Sequence, residues 1–170
     1  TDVVRLPLFT GAAAAGAELS PCRRYRYRLW RPVGAGATLA VVGLNPSTAD
    51  ETADDPTIAR LTERGRRLGF GRLVMLNLFA YRATDPREMK RAEDPVGPDN
   101  NQHLLAEAQA AALVLCAWGT HGAHRGRDQE VLRLLRGAGL KLHVLRLTKG
   151  GHPEHPLYLP YDLSPMEWTP

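Results

Sequence analysis

Four stretches of this chain place polar or punctuating residues where an apolar run ends. Asn45 follows Thr38–Val42 and Gly43, a β-branched run broken by Pro46, which has no amide hydrogen to give to a ladder. Asn77 stands alone near the end of Leu73-Val74-Met75-Leu76-Asn77-Leu78-Phe79. Trp118-Gly119 closes the run that begins at Ala112, and His152-Pro153-Glu154-His155-Pro156-Leu157 follows Leu140–Leu147. Amide and imidazole groups act by hydrogen bonding, so the chemistry they offer is recognition and stabilisation of developing charge. A polar amide in an apolar run must find partners, either in the fold or in a ligand. Each residue also has a plainer reading: Asn45 as a turn residue, Asn77 as a partner of nearby backbone, His155 as a structural loop histidine, Leu157 as core.

Metal chemistry is the weaker reading. The acids Asp50-Glu51 and Asp54-Asp55 suit helix capping and solvation, with no further carboxylate or histidine spaced to help. His121 and His124 have no other ligand type close in sequence. No metal or cofactor is therefore expected.

The elements that must position these residues follow from periodicity. Arg24–Trp30 alternates, with Tyr25, Tyr27 and Leu29 on one side and Arg24, Arg26 and Arg28 on the other, which predicts a half-buried strand. The turn Pro32–Gly36 suggests a hairpin joining it to Thr38–Val42. Asp55 as N-cap and Pro56 at the first helical position open a helix closed by Gly69. Ile58, Leu61 and Leu68 form its apolar face, while Arg60, Arg64, Arg66 and Arg67 lie elsewhere on its surface. A helical turn is expected at Pro86–Arg91 within the long loop Ala80–Pro98. A helix follows from a capping-box-like start at Asp99–Gln102, and another from Asp128 to Arg136, with Val131, Leu132 and Leu135 inward.

Three apolar strands alternating with helices imply right-handed crossovers and a parallel sheet, whose carboxyl edge is where ligands bind. The expected fold is α/β: one three-layer domain with a central four-stranded, mostly parallel sheet plus an N-terminal antiparallel strand. Residues 1–21 are read as an irregular arm, 22–160 as the domain, and 161–170 as a tail.

Composition narrows the function classes. The chain has 170 residues, 44% hydrophobic and 24% charged, as in a soluble globular domain. No apolar run approaches a membrane span, and no secretory leader pattern is seen. Two cysteines make neither a disulfide framework nor a four-cysteine cluster. A cytoplasmic monomer is expected, with no membrane partner. Net charge is +4, and 19 of the 22 basic residues are Arg, which favours phosphate contacts but equally suits solvated faces.

The motifs Leu44–Asp50, Asp54-Asp55-Pro56-Thr57, Asn77–Thr84, Pro95-Val96-Gly97-Pro98 and His155–Leu159 resemble an uncharacterised family of bacteria and phages. More distantly, Gly43-Leu44-Asn45-Pro46-Ser47, Val74–Asn77, Trp118-Gly119 and His155-Pro156-Leu157 are similar, in order, to motifs of the uracil-DNA glycosylase superfamily. His152-Pro153 is a second candidate for the last motif. That resemblance implies a glycosylase-like sheet and a DNA glycosylase that flips and excises uracil or a 5-substituted pyrimidine from single- or double-stranded DNA.

By the same resemblance, Asn45 would position a water and His155 would stabilise the departing base. Asn77 would read the base edge, beside Leu44, Ser47 and Phe79. Leu157 would fill the vacated stack, and Arg82, His121, Arg125 and Arg127 would hold DNA. The small Ser47, where the classical enzymes carry Tyr, would admit 5-substituted bases. The alternatives are a non-catalytic nucleic-acid or nucleotide binding module and a hydrolase of free nucleosides or nucleotides.

Overall fold

The computed structural model describes residues 14–170. Seven strands form one mixed sheet: β1 (Gly16–Leu19), β2 (Arg26–Pro32), β3 (Thr38–Gly43), β4 (Arg72–Asn77), β5 (Leu113–Cys116), β6 (Leu142–Val144) and β7 (Met166–Trp168). Their order across the sheet is β1-β2-β4-β3-β5-β6-β7. β3 pairs in parallel with β4 and β5, and β5 with β6, whereas β1–β2, β2–β4 and β6–β7 are antiparallel.

This overturns the expected four-stranded, mostly parallel, glycosylase-like sheet. The antiparallel strands at both edges are the difference. β1 and β7 are only four and three residues long and carry no alternation to announce them. β1 lies in the described part of what was read as an irregular arm, of which residues 1–13 are outside the described residues. β7 lies in what was read as an irregular tail, and sets Trp168 against Trp118 with ring centroids 5.9 Å apart.

The expected β2–β3 hairpin is also replaced. β2 pairs with β4, and the connection 33–37 crosses the start of β4 to deliver β3 on its far side. Val33 N–H donates to Gly71 O at 3.0 Å, and Gly71 N–H to Ala37 O at 2.8 Å. The crossing is so close that a Cβ on Gly71 would stand 2.4 Å from the backbone N and O of Gly36.

Helices cover both faces. Alternate residues of β3 enter two clusters: Ala40 and Val42 on one side, Leu39 and Val41 on the other. α1 (Pro56–Arg67) covers the second face with Ile58 and Leu61. The short α2 (Pro86–Arg91), α3 (Asn100–Ala110) and α4 (Arg127–Gly137) cover the first through Met89, Leu104, Ala108, Val131, Leu132 and Leu135. Asp55 caps α1, accepting from Ile58 N–H at 3.0 Å. Asp99 makes no side-chain cap bond, and the N-cap of α4 is Gly126 rather than Asp128, because the chain enters α4 directly from a 3-10 segment, Thr120–Gly126.

Three arginines expected on the surface, Arg26, Arg64 and Arg127, are interior, and Arg31 is buried as well. Arg64 donates to the carbonyls of Leu159 and Pro160 at 2.8 and 3.0 Å, which draws the chain after the last loop onto α1. Tyr161 completes that clasp, with the guanidinium carbons of Arg60 and Arg67 at 3.7 and 4.0 Å from its ring centroid.

Gly71→Ala should cost about 1–3 kcal/mol, since both neighbours of the new methyl are backbone and cannot move aside cheaply. Gly137→Ala, with nothing beyond its own helix backbone and chain neighbours within 4 Å of the new Cβ, should be neutral or stabilising. Urea unfolding midpoints of the two variants check the contrast.

Candidate functional site

At the carboxyl edge of the parallel strands lies a cavity of about 660 Å³, within the range of small-ligand sites. Its walls come from the loops after β3, β4, β5 and β6 and from the N-terminus of α1. Asn45, Asn77, His155, Leu44, Ser47, His121 and Leu157 all line it. Phe79 does not: it is fully buried in the core, its ring centroid 5.8 Å from that of His124.

The loops are welded to one another by backbone. Leu78 N–H donates to Gly43 O and Phe79 N–H to Leu44 O, so the pairing of β3 and β4 continues past the strands. Ala83 N–H reaches Pro46 O at 2.9 Å, and Gly119 N–H reaches Pro153 O at 2.7 Å. Behind them, Asn100 Nδ2 donates to the carbonyls of both Asn77 and Leu78 at 3.0 Å, and Arg127 Nε to Leu78 O at 2.8 Å.

Asn45 is oriented by two backbone carbonyls. Its Nδ2 donates to Ala83 O at 2.8 Å and Pro46 O at 3.1 Å, so the opposite atom, Oδ1, is left as an acceptor. Asn77 is the contrasting case. It is 1% exposed, and neither its Nδ2 nor its Oδ1 has a hydrogen-bond partner among the described residues. Gly43, directly opposite in register, makes the room: a Cβ there would stand 3.1 Å from Asn77 Oδ1. An unsatisfied buried amide costs free energy, and this one, at the cavity wall, keeps one donor and one acceptor unpaired side by side.

Of the two histidines in the last loop, His155 faces the cavity. His152 is tied into the 148–152 turn, where its N–H bonds Thr148 Oγ1 at 3.2 Å and its carbonyl accepts Thr148 N–H at 2.8 Å. His155 Nδ1 accepts Leu157 N–H at 3.3 Å, which puts the ring proton on Nε2 in the neutral tautomer. The solvent reaches the ring through the open cleft, yet the surrounding wall desolvates it. That holds its pKa below the usual histidine value, with the Asp55 carboxylate opposing. Neutral imidazole with Nε2–H as donor is thus the favoured form.

The expected DNA-holding arginines are engaged within the protein. Arg82 reaches the carbonyls of Arg23, Ser47 and Thr48 at 3.3–3.4 Å, and Arg125 those of Ala92 and Glu93 at 3.2 and 3.1 Å. Arg127 is buried, with Glu130 and Asn101 as further partners. Sequence reasoning missed Arg26, which the alternation of β2 assigned to solvent but which is buried and lines the cavity. It also missed Asp55 and Glu154 as wall residues; Asp55 is occupied by capping and Glu154 by Arg146 at 2.9 Å. Among the described residues no group of three or more His, Cys, Asp or Glu is placed to hold a metal ion. No helix of the described residues is long and apolar enough to cross a membrane.

The described residues form an α/β domain with a cleft at the carboxyl edge of its parallel strands. The chain belongs to the family described as "Protein of unknown function (DUF1643)", whose model matches residues 26–157 and so spans the cavity from Arg26 to Leu157. No curated protein and no solved structure matches the chain.

Asn77→Leu replaces the unsatisfied amide with an apolar group of the same shape. It should stabilise the protein by about 1–3 kcal/mol, an unusual gain for a substitution at a polar residue. Thermal or urea unfolding of the variant beside wild type checks it; a loss of stability would mean that the amide is satisfied in the native protein.

Proposed function

We propose that the protein is a glycosylase-like enzyme that binds a uracil-like pyrimidine in this cavity and hydrolyses its N-glycosidic bond, with DNA as the substrate polymer. The observation that carries the reading is the unpartnered Asn77 amide, which offers one donor and one acceptor to the imide edge of such a base. The order of strand-end motifs similar to uracil-DNA glycosylases lends it further support, as does the meeting of Asn45, Asn77 and His155 around one cavity.

In this reaction the C1′–N bond breaks and its electron pair leaves with the base. The sugar passes through an oxocarbenium-like state, and water forms the new C1′–O bond, releasing a proton to solvent. Asn45 Oδ1 accepts a hydrogen bond from that water and orients it. His155 Nε2–H donates to a base carbonyl oxygen, where negative charge accumulates as the bond breaks. Leu157, on the same loop as His155, occupies the space an extruded base leaves.

A second reading, hydrolysis or binding of a free nucleotide in the same cavity, is favoured by one observation: Arg82, Arg125 and Arg127 already bond protein acceptors. Single-turnover assays decide between them, using oligonucleotides bearing uracil, thymine mismatches and 5-hydroxymethyluracil beside the free nucleotides. His155→Ala should lower the excision rate by about 10²–10³. Asn45→Ala should lower the chemical step more than binding, because an oriented water matters chiefly in the transition state. Background-level cleavage of every substrate by wild type and both variants would refute excision.

The pH profile gives an independent check. Desolvation by the cavity wall disfavours the His155 imidazolium, so its protonation moves to lower pH than that of an ordinary histidine. The excision rate should therefore be level above about pH 6.5, with the His155 inflection below that value and absent in His155→Ala.

A further inference from the structure

The buried arginines of this protein differ in how their donors are used. Arg31 bonds the carbonyls of Asp50, Ala53, Trp30 and Gly16 and the Asp54 carboxylate. Arg127 has an acceptor for each of its three nitrogens. Arg64 places both terminal nitrogens on carbonyls, and its Nε alone is left without a partner. Arg26 makes one hydrogen bond among the described residues, from Nη1 to Ala49 O at 3.1 Å. Its Nε is buried without a partner, its Nη2 has none, and no described carboxylate lies within ion-pairing distance.

Arg26 is also the buried arginine that lines the cavity. The bond to Ala49 sets its guanidinium beneath the Ser47–Ala49 turn, and Ser47, Thr48 and Thr57 line the same wall at the N-terminus of α1. Asp55 stands close enough to favour the charged guanidinium, but both of its oxygens accept backbone N–H groups, those of Ile58 and Ala49. Burial lowers the Arg26 pKa to about 10, which leaves it cationic at neutral pH. A buried cation at a cavity wall with donors left unpaired is complementary to an oxyanion that enters with a ligand.

From this contrast we infer that Arg26, with the hydroxyl-bearing turn Ser47-Thr48 and the start of α1, forms a phosphate subsite of the cavity. The ligand is then a nucleotide unit, its phosphate on Arg26 and its base on Asn77. The base half of that statement rests on the reading proposed above; the phosphate half does not. The phosphate is either the monoester of a free nucleotide or a diester of a strand.

The test measures calorimetric affinities of uracil, deoxyuridine, deoxyuridine 5′-monophosphate, inorganic phosphate and a thymidine-flanked deoxyuridine trinucleotide. The proteins are wild type, Arg26→Met, Arg26→Lys and Asn77→Leu. Wild type should bind a phosphorylated ligand about 10- to 100-fold more tightly than deoxyuridine, the worth of a hydrogen bond to a charged group. Arg26→Met should abolish that advantage and leave deoxyuridine binding unchanged, and Arg26→Lys should retain part of it.

An advantage confined to the monophosphate assigns a free nucleotide, and one confined to the trinucleotide assigns a strand. Equal affinities with and without phosphate on wild type, or an advantage intact in Arg26→Met, overturn the subsite. Should Arg26→Met not fold, wild type alone still decides: inorganic phosphate must compete with the phosphorylated ligand and not with deoxyuridine. Arg26-dependent phosphate binding without any binding of uracil or deoxyuridine, and with no effect of Asn77→Leu, would uphold the subsite and refute the base pocket.

Discussion

A guanidinium donates in a rigid plane and accepts nothing, so a buried one organises whatever carbonyls surround it. Arg31 does this for the segment that joins β3 to α1. With the 50–54 loop gathered on a single side chain, the chain can leave β3, turn through Asn45-Pro46-Ser47 and arrive at Asp55 ready to start α1. Asp50 tightens the same loop by accepting the N–H groups of Thr52 and Ala53. The opposite wall is built alike: Asn100 and Arg127 hold the carbonyls where β4 ends. Backbone groups that irregular loops would leave unpaired are satisfied by side chains from the neighbouring elements, which gives the cleft fixed walls without regular secondary structure.

Against that background of satisfied carbonyls, several buried side chains keep polar atoms without partners, and three of them, Arg26, Asn77 and Trp118, line the cavity. Asn77 and Arg26 keep donors, and in Asn77 an acceptor as well, without partners. The fold accommodates them at the expense of stability that other residues supply, a pattern typical of sites shaped for binding. Gly43 belongs to the same arrangement, because a larger residue in register with Asn77 would press on its amide.

The inner strands and the helices were legible because their apolar periods are strong: β3, β4, β5 and α1 carry the runs that bury them. The edges were not. Gly16–Leu19 and Met166–Trp168 are too short for a period, and pairing between β2 and β4 depends on the crossing at Gly36 and Gly71, which no local pattern encodes. The convergence of the strand-end residues Asn45 and Asn77 on one cavity was legible for a related reason: a polar residue that closes an apolar run has few places to go. Arg26 was misread because alternation reports which way a side chain points and not whether a loop covers it. The residues 44–50 that cover Arg26 follow it in sequence by about twenty positions, and only the folded chain brings them there. Phe79 erred the opposite way: its place beside Asn77 suggested the cavity, but the backbone turns after Asn77 and sends the ring into the core.

The central position of β3 bears on how the chain is made. Its neighbours, β4 and β5, begin at Arg72 and Leu113, and the cavity closes only with the loop that carries His155. During vectorial synthesis the first long strands therefore emerge before the partners that bury their edges, and parallel pairing of this kind is slow because distant segments must meet. A nascent chain that stalled between β3 and β5 would display unpaired apolar strands. Late burial of its edges is the consequence of placing an early strand at the middle of the sheet.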